Sequence, residues 1–324
     1  MSAVRVGVIG TGALGRHHVR HLASQHGADL VGVHDQDPER ARTVAEEAGT
    51  RAFDRLGDLL GEVQAVVIAV PTMVHHAVGL ECLGRGISVL MEKPLASTVA
   101  EADELLAEAA RHDLTFAVGH IERFNRAVRA AQPYLDRPVF VEGIRLAPFQ
   151  PRGTDVAVVL DLMIHDLDLA NHVVSGAEAT DVRASGASVL SPHLDMVNAR
   201  VEFAGGTVAS MTASRVARDR VRRLRIFQPS GYFSLDLAAG HGTFMRLREG
   251  WRPGSGTSIE EIVETIPLNA PDADAMGLEL AAFLAAVRGD RAAIVTAREG
   301  RAALALAAQV TAAVQRTPVP ALGR

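Results

Sequence analysis

The period of hydrophobic and polar positions changes along this chain. Over residues 1–120, short runs rich in Val and Ile, the first of them VRVGVIG, alternate with segments of helical periodicity. Strands that alternate with helices in this way are typical of a doubly wound parallel sheet. Two helix starts carry capping signals: Asp37 precedes a proline, and Thr98 is followed three residues later by Glu101. The first part of the chain is therefore predicted to be a Rossmann-type domain.

The second part of the chain alternates with a period of two. In VNARVEFAGG, apolar and polar residues fall on opposite faces of an extended strand, which predicts an open, largely antiparallel sheet. Helical patterns over residues 273–288 and 296–315 close the chain. The predicted fold is α/β, a Rossmann doubly wound parallel sheet followed by an α/β domain with an open sheet. The predicted domains are residues 1–120 and 121–324.

Composition narrows the class of protein. A chain of 324 residues with 48% hydrophobic content can bury a large core in roughly two domains. No apolar run approaches the ~20 residues of a membrane span, and the N-terminus lacks a signal-peptide pattern. We therefore expect a soluble, cytoplasmic protein without a membrane segment. The single cysteine, Cys82, lies in an apolar helical pattern and is predicted to be a buried structural thiol.

The charge balance bears on partners. A formal net charge of -5 argues against binding to nucleic acid or to an anionic membrane. The run RVARDRVRRLR, residues 215–225, is locally basic. It is interpreted as a solvated strand face or an oligomer contact, with phosphate binding as the alternative.

The first chemical motif is GTGALG, which comprises Gly10, Thr11, Gly12, Ala13, Leu14 and Gly15. It follows a predicted strand and opens a helix, and Asp35 ends the next strand at the ~20-residue spacing of a dinucleotide fingerprint. Gly10 would permit the tight turn, Gly12 the approach of a pyrophosphate, and Gly15 close packing. Asp35 would bind the ribose hydroxyls and repel a 2′-phosphate, so the predicted cofactor is NAD rather than NADP. An ordinary strand-to-helix turn is the less favoured alternative.

The second motif is MEKP, at the carboxyl end of the fifth predicted strand, where open parallel sheets bind ligands. Its lysine, Lys93, could stabilise a developing alkoxide or accept a proton. The alternative is a Glu/Lys pair on a surface loop. The residues alone leave these two interpretations about even.

The third motif is a polar stripe on the apolar helix VVLDLMIHDLDLANH. Asp161, His165, Asp168 and His172 follow one another at spacings of four, three and four, which places them on one helical face. This face could line a cleft, hold a structural histidine or bind a metal. Ligands spread from Asp161 to His172 span three turns and cannot all reach one ion. No metal is therefore predicted.

Four motifs in order, GVIGTGALG, AVPTMVHH, EKPLA and VVLDLMIHDLDL, resemble the Gfo/Idh/MocA family of NAD(P)-dependent oxidoreductases. The resemblance spans nearly the whole chain. It implies an NAD-binding Rossmann domain followed by a substrate-binding and oligomerisation domain, whose open sheet mediates dimers or tetramers. A homodimer or homotetramer is the expected assembly.

The resemblance also implies site residues. The catalytic set would be Lys93 of the E-K-P motif with Asp161 and His165 of the D-x-x-x-H motif. His165 would take the proton of a sugar hydroxyl while its carbon transfers hydride to the nicotinamide, since histidine ordinarily titrates near neutral pH. Asp161 would orient the hydroxyl. The residues expected beside the cofactor are Pro71, Thr72, His75, Glu92 and Lys93.

Within the family, GHIERFN and PRGTDVAVVLDLMIHDLDL are similar to the branch that oxidises C3 of UDP-N-acetylglucosamine. This likeness implies a nucleotide-sugar dehydrogenase that forms a 3-keto sugar. Arg152 could bind the diphosphate in a bidentate manner, whereas Glu122 and Arg123 could instead pair on a helix surface. An inositol or free-sugar dehydrogenase, or a non-catalytic dinucleotide-sensing Rossmann protein, stays an alternative. The implied substrate contacts are Glu122, Arg123, Asn125, Arg152, Asp161 and His165.

Overall fold

The protein, seen in a computed structural model, is described at residues 3–150, 156–252, 254, 258–290 and 292–316. Its first sheet is fully parallel, with strand order β3-β2-β1-β4-β5-β6. That order reverses between β1 and β4, which places a ligand-binding crevice at the carboxyl ends of the strands. The six strands are β1 Val4–Ile9, β2 Ala28–His34, β3 Arg51–Ala52, β4 Ala65–Ile68, β5 Ser88–Glu92 and β6 Phe116–Gly119.

The helices of this sheet begin where the sequence indicates. The Asp37 side chain accepts a hydrogen bond from the Arg40 backbone N–H at 3.2 Å, and Thr98 and Glu101 form a reciprocal capping box, so both predicted helix starts are confirmed. The Cys82 thiol is fully buried, and burial raises its pKa to about 12, as expected for a structural thiol. The helices are α1 Ala13–Ser24, α2 Pro38–Ala48, α3 Leu56–Leu60, α4 His75–Gly84 and α5 Val99–Arg111.

The second sheet has eight strands in the order β14-β13-β12-β11-β7-β10-β9-β8. Only the pair β7 and β10 is parallel, and the other pairs are antiparallel. The predicted fold class is confirmed. The strands are β7 Phe140–Leu146, β8 Ala179–Ala187, β9 Met196–Phe203, β10 Val208–Ser214, β11 Val221–Gln228, β12 Gly231–Asp236, β13 His241–Leu247 and β14 Val263–Leu268.

The remaining helices include one irregular element. Residues Val159–Met163 form a single π-helical turn, which continues into α7 Ile164–Val173. The predicted stripe helix is therefore not one regular α-helix. In the described residues, no helix is both long and apolar enough to cross a bilayer. The other helices are α6 Arg126–Ala131, α8 Ile259–Ile262, α9 Ala275–Val287 and α10 Ala297–Arg316.

The chain divides into two compact units. The first contains Met1–Phe124 and Ala273–Leu304, and the second contains Asn125–Asp272 and Ala305–Arg324. The division differs from the predicted one because α9 belongs to the first unit, where Leu280 and Phe283 are fully buried in the core of the parallel sheet. The apolar periodicity of α9 predicts a buried helix but carries no information about which sheet it covers.

Candidate active site

The glycine loop has the geometry that a dinucleotide requires. Gly10 has a φ of +89°, and a Cβ built there would lie 2.6 Å from the Ala69 carbonyl oxygen. A Cβ on Gly15 would overlap the carbonyl oxygen of Gly10. At Gly12, the residue before α1, a Cβ would meet no atom within 4 Å. Two glycines therefore make the turn possible, and the third leaves open space before the helix N-terminus, where a pyrophosphate fits.

The Asp35 carboxylate faces this loop and is held by several donors. Thr11 donates to Oδ2 from its backbone N–H at 2.6 Å and from its hydroxyl at 3.0 Å, and the Asp37 backbone N–H donates to Oδ1 at 2.9 Å. Arg40 donates from Nη2 to Oδ1 at 2.6 Å and from Nε to Oδ2 at 3.2 Å. Burial raises the pKa of Asp35, but Arg40 and the other donors outweigh it and lower the pKa to about 2. Ribose hydroxyls must therefore share this carboxylate with Arg40 or displace Arg40.

A cleft of about 360 Å³ opens between the glycine loop and α2. Its volume lies within the range of small-molecule sites. Two arginines line it, although Arg16 is also paired with Glu47 at 2.5 Å. The cleft can therefore hold the adenosine end of a dinucleotide beside Asp35. Its lining residues are Thr11, Gly12, Ala13, Arg16, Arg40, Thr43 and Val44.

Lys93 follows the last residue of β5, at the carboxyl edge of the parallel sheet. It is the only lysine in the chain, since one of the 33 Lys and Arg residues is Lys93 and the other 32 are arginine. Arginine is a permanently charged, planar donor, whereas lysine is a compact ammonium that can lose its proton. A chain that uses arginine at all its other cationic positions but keeps lysine here indicates a chemical requirement for the amine. This signal was available in the sequence.

His75 connects the two loops that flank the predicted nicotinamide position. Its Nδ1 lies 2.8 Å from the Pro94 carbonyl oxygen, and its Nε2 lies 2.9 Å from the Val70 carbonyl oxygen. Burial lowers the pKa of His75, against the opposing effect of those carbonyls. Both ring nitrogens face backbone oxygens, so the His75 side chain holds the two loops together. Pro71 and Thr72 lie in the loop that it supports.

The second unit carries the other half of the predicted catalytic set. Asp161 lies in the π turn and His165 in the first turn of α7, and both side chains are partly exposed. A π turn inside an α-helix often marks a functional site. Beside them, the buried Arg145 of β7 donates to the Asp166 carboxylate at 2.8 and 3.0 Å. This bidentate pair fixes α7 on the sheet one residue from His165.

A second buried pair holds the chain that enters the π turn. Arg215 donates to Asp195 at 2.7 Å and to the Val156 carbonyl oxygen at 2.8 Å. Burial raises the pKa of Asp195, but Arg215, Ser191 and backbone N–H donors hold it well below the usual range. Arg215 is 4% exposed, so the interpretation of the basic run as a solvated face is wrong for its first residue.

The predicted substrate contacts have structural roles as well. Arg123 pairs with Glu299 at 3.3 Å, and Glu122 is buried. The Asn125 side chain caps α6 through the Ala127 N–H at 3.0 Å and donates to the Leu237 carbonyl oxygen at 2.8 Å. Arg152 lies outside the described residues. Glu122 and Arg123 therefore do not form the exposed pair that was the alternative, and their contact with a substrate stays a prediction.

Residues 4–120 match the family model for the NAD-binding Rossmann fold of this oxidoreductase family, and residues 139–234 match the GFO/IDH/MocA C-terminal domain. The chain is 39% identical over 316 residues to UDP-N-acetylglucosamine 3-dehydrogenase of Acidithiobacillus ferrooxidans, which covers 97% of this chain and 98% of that protein. The chain belongs to the Gfo/Idh/MocA family of oxidoreductases.

Further relatives of this Gfo/Idh/MocA oxidoreductase agree with that result. A solved structure of UDP-N-acetylglucosamine 3-dehydrogenase GnnA from Acidithiobacillus ferrooxidans has a TM-score of 0.90 and 38% identity, covering 98% of this chain and 99% of that chain. Inositol 2-dehydrogenase of Acidothermus cellulolyticus is 34% identical over 195 residues, 56% of each protein. The predicted family, fold class and NAD cofactor are confirmed, and the protein is an oxidoreductase of the dehydrogenase type.

The structure divides the predicted site residues between the two units. The first unit brings together the glycine loop and Asp35, and it also holds Lys93 at the end of β5. The second unit holds Asp161 and His165. No group of three His, Cys, Asp or Glu side chains within the described ranges could hold a metal ion.

Sequence reasoning missed the buried histidine of α1. His18 is fully buried and lies 2.6 Å from Glu92. The signal was its spacing, because Gly15, His18 and Leu22 form the buried face of α1. A histidine in an otherwise apolar stripe needs a polar partner.

Proposed function

We propose that this protein oxidises the C3 hydroxyl of UDP-N-acetylglucosamine to the 3-keto sugar, with NAD as the oxidant. The observation that carries the proposal is the 39% identity to an enzyme of that name over 97% of this chain, through both units. The glycine loop and Asp35 fit the dinucleotide, and Lys93 supplies the sole lysine amine. Bound NAD supplies the hydride acceptor.

The residues of the chain would accept the proton of the hydroxyl and orient the sugar. His165 would accept the proton of the C3 hydroxyl at a ring nitrogen as the carbon loses its hydride. Asp161, four residues earlier, would accept a hydrogen bond from the sugar and orient the hydroxyl. The Lys93 ammonium would stabilise the developing negative charge on the oxygen. These three roles are proposals.

Binding a diphosphate requires cationic side chains that are not already held in ion pairs within the protein. Arg123 is paired with Glu299, and its side chain is 9% exposed, so it is a weaker candidate for binding the diphosphate. Arg218 and Arg220 are exposed in the loop between β10 and β11. The Ala217 N–H in that loop donates to the Ala147 carbonyl oxygen, at the carboxyl end of β7. We infer that this part of the basic run joins Arg152 as a candidate diphosphate contact.

The experiment is an assay of the purified protein with UDP-N-acetylglucosamine and NAD. We expect NADH and a product that is lighter by two hydrogens. Free N-acetylglucosamine should react far more slowly, because the diphosphate contributes remote binding energy that positions the sugar. Because the equilibrium disfavours the ketone, the assay is also run with an aminotransferase and glutamate. Lys93→Met serves as the inactive control.

A second candidate is oxidation of inositol or a free sugar. It is favoured by the 34% identity to an inositol 2-dehydrogenase, although that match covers 56% of this chain. Turnover of myo-inositol without turnover of UDP-sugars would replace our proposal with this one. Tight NAD(H) binding without turnover of any sugar would instead support a dinucleotide sensor.

We further propose a homo-oligomer formed through the face of the second sheet that carries Phe227. Phe227, 42% exposed, contacts Phe140 and Tyr232 there, with ring centroids 5.8 and 4.6 Å away, and Leu247 is 55% exposed. A cluster of exposed apolar side chains commonly marks an interface. Light scattering should give a dimer or tetramer, and Phe227→Arg should lower the mass. A cytoplasmic location stays a prediction.

A further inference from the structure

Three buried polar side chains lie together in the first unit, behind the strand end that carries Lys93. They are His18 of α1, Glu92 of β5 and Glu279 of α9, with exposed fractions of 0%, 8% and 3%. Ionisable side chains are almost never buried to this extent without partners. The cluster therefore needs a physical explanation.

Glu92 is the centre of the cluster and connects its two sides. Its Oε1 lies 2.6 Å from His18 Nε2, and its Oε2 accepts the backbone N–H of Lys93 at 3.2 Å. A nitrogen that close to a carboxylate carries the hydrogen, so His18 is the donor. The carboxylate also packs against β6, where a Cβ on Gly119 would come within 3.0 Å of Glu92 Cδ. His18 and Gly119 together fix the orientation of the carboxylate.

Three helices place titratable groups around Glu92. His18 faces it from α1, His75 acts on it electrostatically from α4, and Glu279 does so from α9. Burial raises the pKa of Glu279 well above its usual range, and the Glu92 carboxylate adds to the rise. Among the described residues, Glu279 Oε1 and His18 Nδ1 have no hydrogen-bond partner. Burial and the neighbouring carboxylate therefore both favour the neutral form of Glu279.

We propose that His18 is a positioning residue for Lys93: it holds the Glu92 carboxylate, which holds the main chain of Lys93 so that the amine is presented at the sheet edge. The proposal rests on the role of Lys93 in the proposed function. His18 contacts neither substrate nor cofactor in this scheme. It acts through its own hydrogen bond to Glu92 Oε1 and through the hydrogen bond that Glu92 Oε2 accepts from the Lys93 N–H.

The test uses His18→Leu and His18→Gln. Leucine removes the donor and leaves the carboxylate without its partner, whereas the amide of glutamine can still donate to Glu92. We expect His18→Leu to lower kcat by about 10-fold or more, with little change in KM for NAD, because a buried hydrogen bond to a charged group is lost. His18→Gln should restore most of kcat. A purely structural role would lower the melting temperature and leave kcat of the folded fraction unchanged.

The single lysine permits a second readout that does not depend on turnover. Reductive methylation with ¹³C-formaldehyde labels only Lys93 and the N-terminal amine. In NMR titrations, the midpoint of dimethyl-Lys93 should move by on the order of one pH unit in His18→Leu and stay in place in His18→Gln. Glu279→Gln, which mimics the neutral acid, should leave the midpoint unchanged.

The outcomes separate the two proposals. An unchanged Lys93 midpoint and an unchanged kcat in His18→Leu overturn the positioning role, whatever the substrate is. A shifted midpoint in a protein that does not oxidise UDP-N-acetylglucosamine supports the positioning role and overturns the proposed function. If His18→Leu does not fold, Glu92→Gln carries the same test, since it weakens both hydrogen bonds at constant volume.

Discussion

The glycine loop of the first unit and the π-to-α segment of the second unit place their polar groups by different physical means. In the loop, positions are fixed over a few residues, by the backbone of Gly10 and by the missing Cβ of Gly15. In the segment, the chain beside Asp161 and His165 is held by buried ion pairs between separate elements, Arg145 with Asp166 and Arg215 with Asp195. Local constraints leave a motif in the sequence, whereas long-range constraints leave only single charged residues among apolar ones.

The largest expected effect tests whether the π-to-α segment is catalytic. His165→Asn should lower turnover of UDP-N-acetylglucosamine by ~10²- to 10⁴-fold, the usual loss for an acid/base group, with NAD affinity unchanged. Lys93→Met should likewise lower turnover and leave NAD affinity unchanged. Steady-state kinetics and fluorescence titration of NAD measure the two quantities. His172→Asn is the control. His172 lies on the same helix as His165, but its ring contacts Gln132 at 2.8 Å. Near-normal turnover of His165→Asn at every pH would mean that His165 is structural.

The next effect concerns the ion pair that holds that segment. Arg145→Met leaves Asp166 buried without its bidentate partner and should destabilise the protein by about 3–5 kcal/mol in urea unfolding. Arg145→Met combined with Asp166→Leu should recover much of that loss. Arg183→Ala, which breaks an exposed pair with Asp181, should change stability by less than about 1 kcal/mol. Equal losses from the buried and the exposed pair would contradict this account.

In the glycine loop, neighbouring positions should respond in opposite ways. Gly15→Ala forces a methyl group onto the Gly10 carbonyl and should destabilise the protein by about 1–3 kcal/mol. Gly12→Ala meets open space and should stay within about 0.5 kcal/mol of wild type, while weakening NAD binding. Thermal unfolding and NAD titration separate the two effects. A stability loss at Gly12 as large as that at Gly15 would show that the open space is not the reason for the glycine.

A smaller effect concerns cofactor choice. The Asp35 carboxylate should favour NAD over NADP by at least ~10-fold in kcat/KM, which is about 1.4 kcal/mol. Asp35→Ser should narrow the preference, and Arg40→Ala should widen it, because Arg40 is the cation available to a 2′-phosphate. Equal use of NAD and NADP by the wild-type protein would remove the basis of this prediction.

The smallest effect is a pH dependence of stability. The pKa of Glu279 is raised in the folded state, so its contribution is fully present below its ordinary value of 4.5 and is lost as pH rises through the raised value. Glu279→Gln removes this loss. The melting temperature of the variant should exceed that of wild type by about 2–4 °C at pH 8 and by less at pH 5. A constant difference across this range would show that Glu279 does not titrate in the window.

The sequence predicts those parts of the molecule that are fixed locally. The parallel sheet, the caps at Asp37 and Thr98, and the glycine loop follow from short-range patterns, and the structure confirms them. The sequence does not predict the π turn, because its spacing pattern does not differ from that of an α-helix. It gives no partner for His18 either, because Glu92 is 74 positions away.

The assignment of α9 to the first unit has a consequence for the order in which the protein can fold on the ribosome. Leu280 and Phe283 pack in the same core as Val8 and Val33, yet more than two hundred residues separate them in the chain. Domains generally fold as units while they emerge during synthesis. Here the parallel sheet emerges first but stays without part of its core until the whole second sheet has been translated. A nascent chain that stalls before α9 exposes apolar surface of the first unit, so that core can be completed only after α9 has been translated.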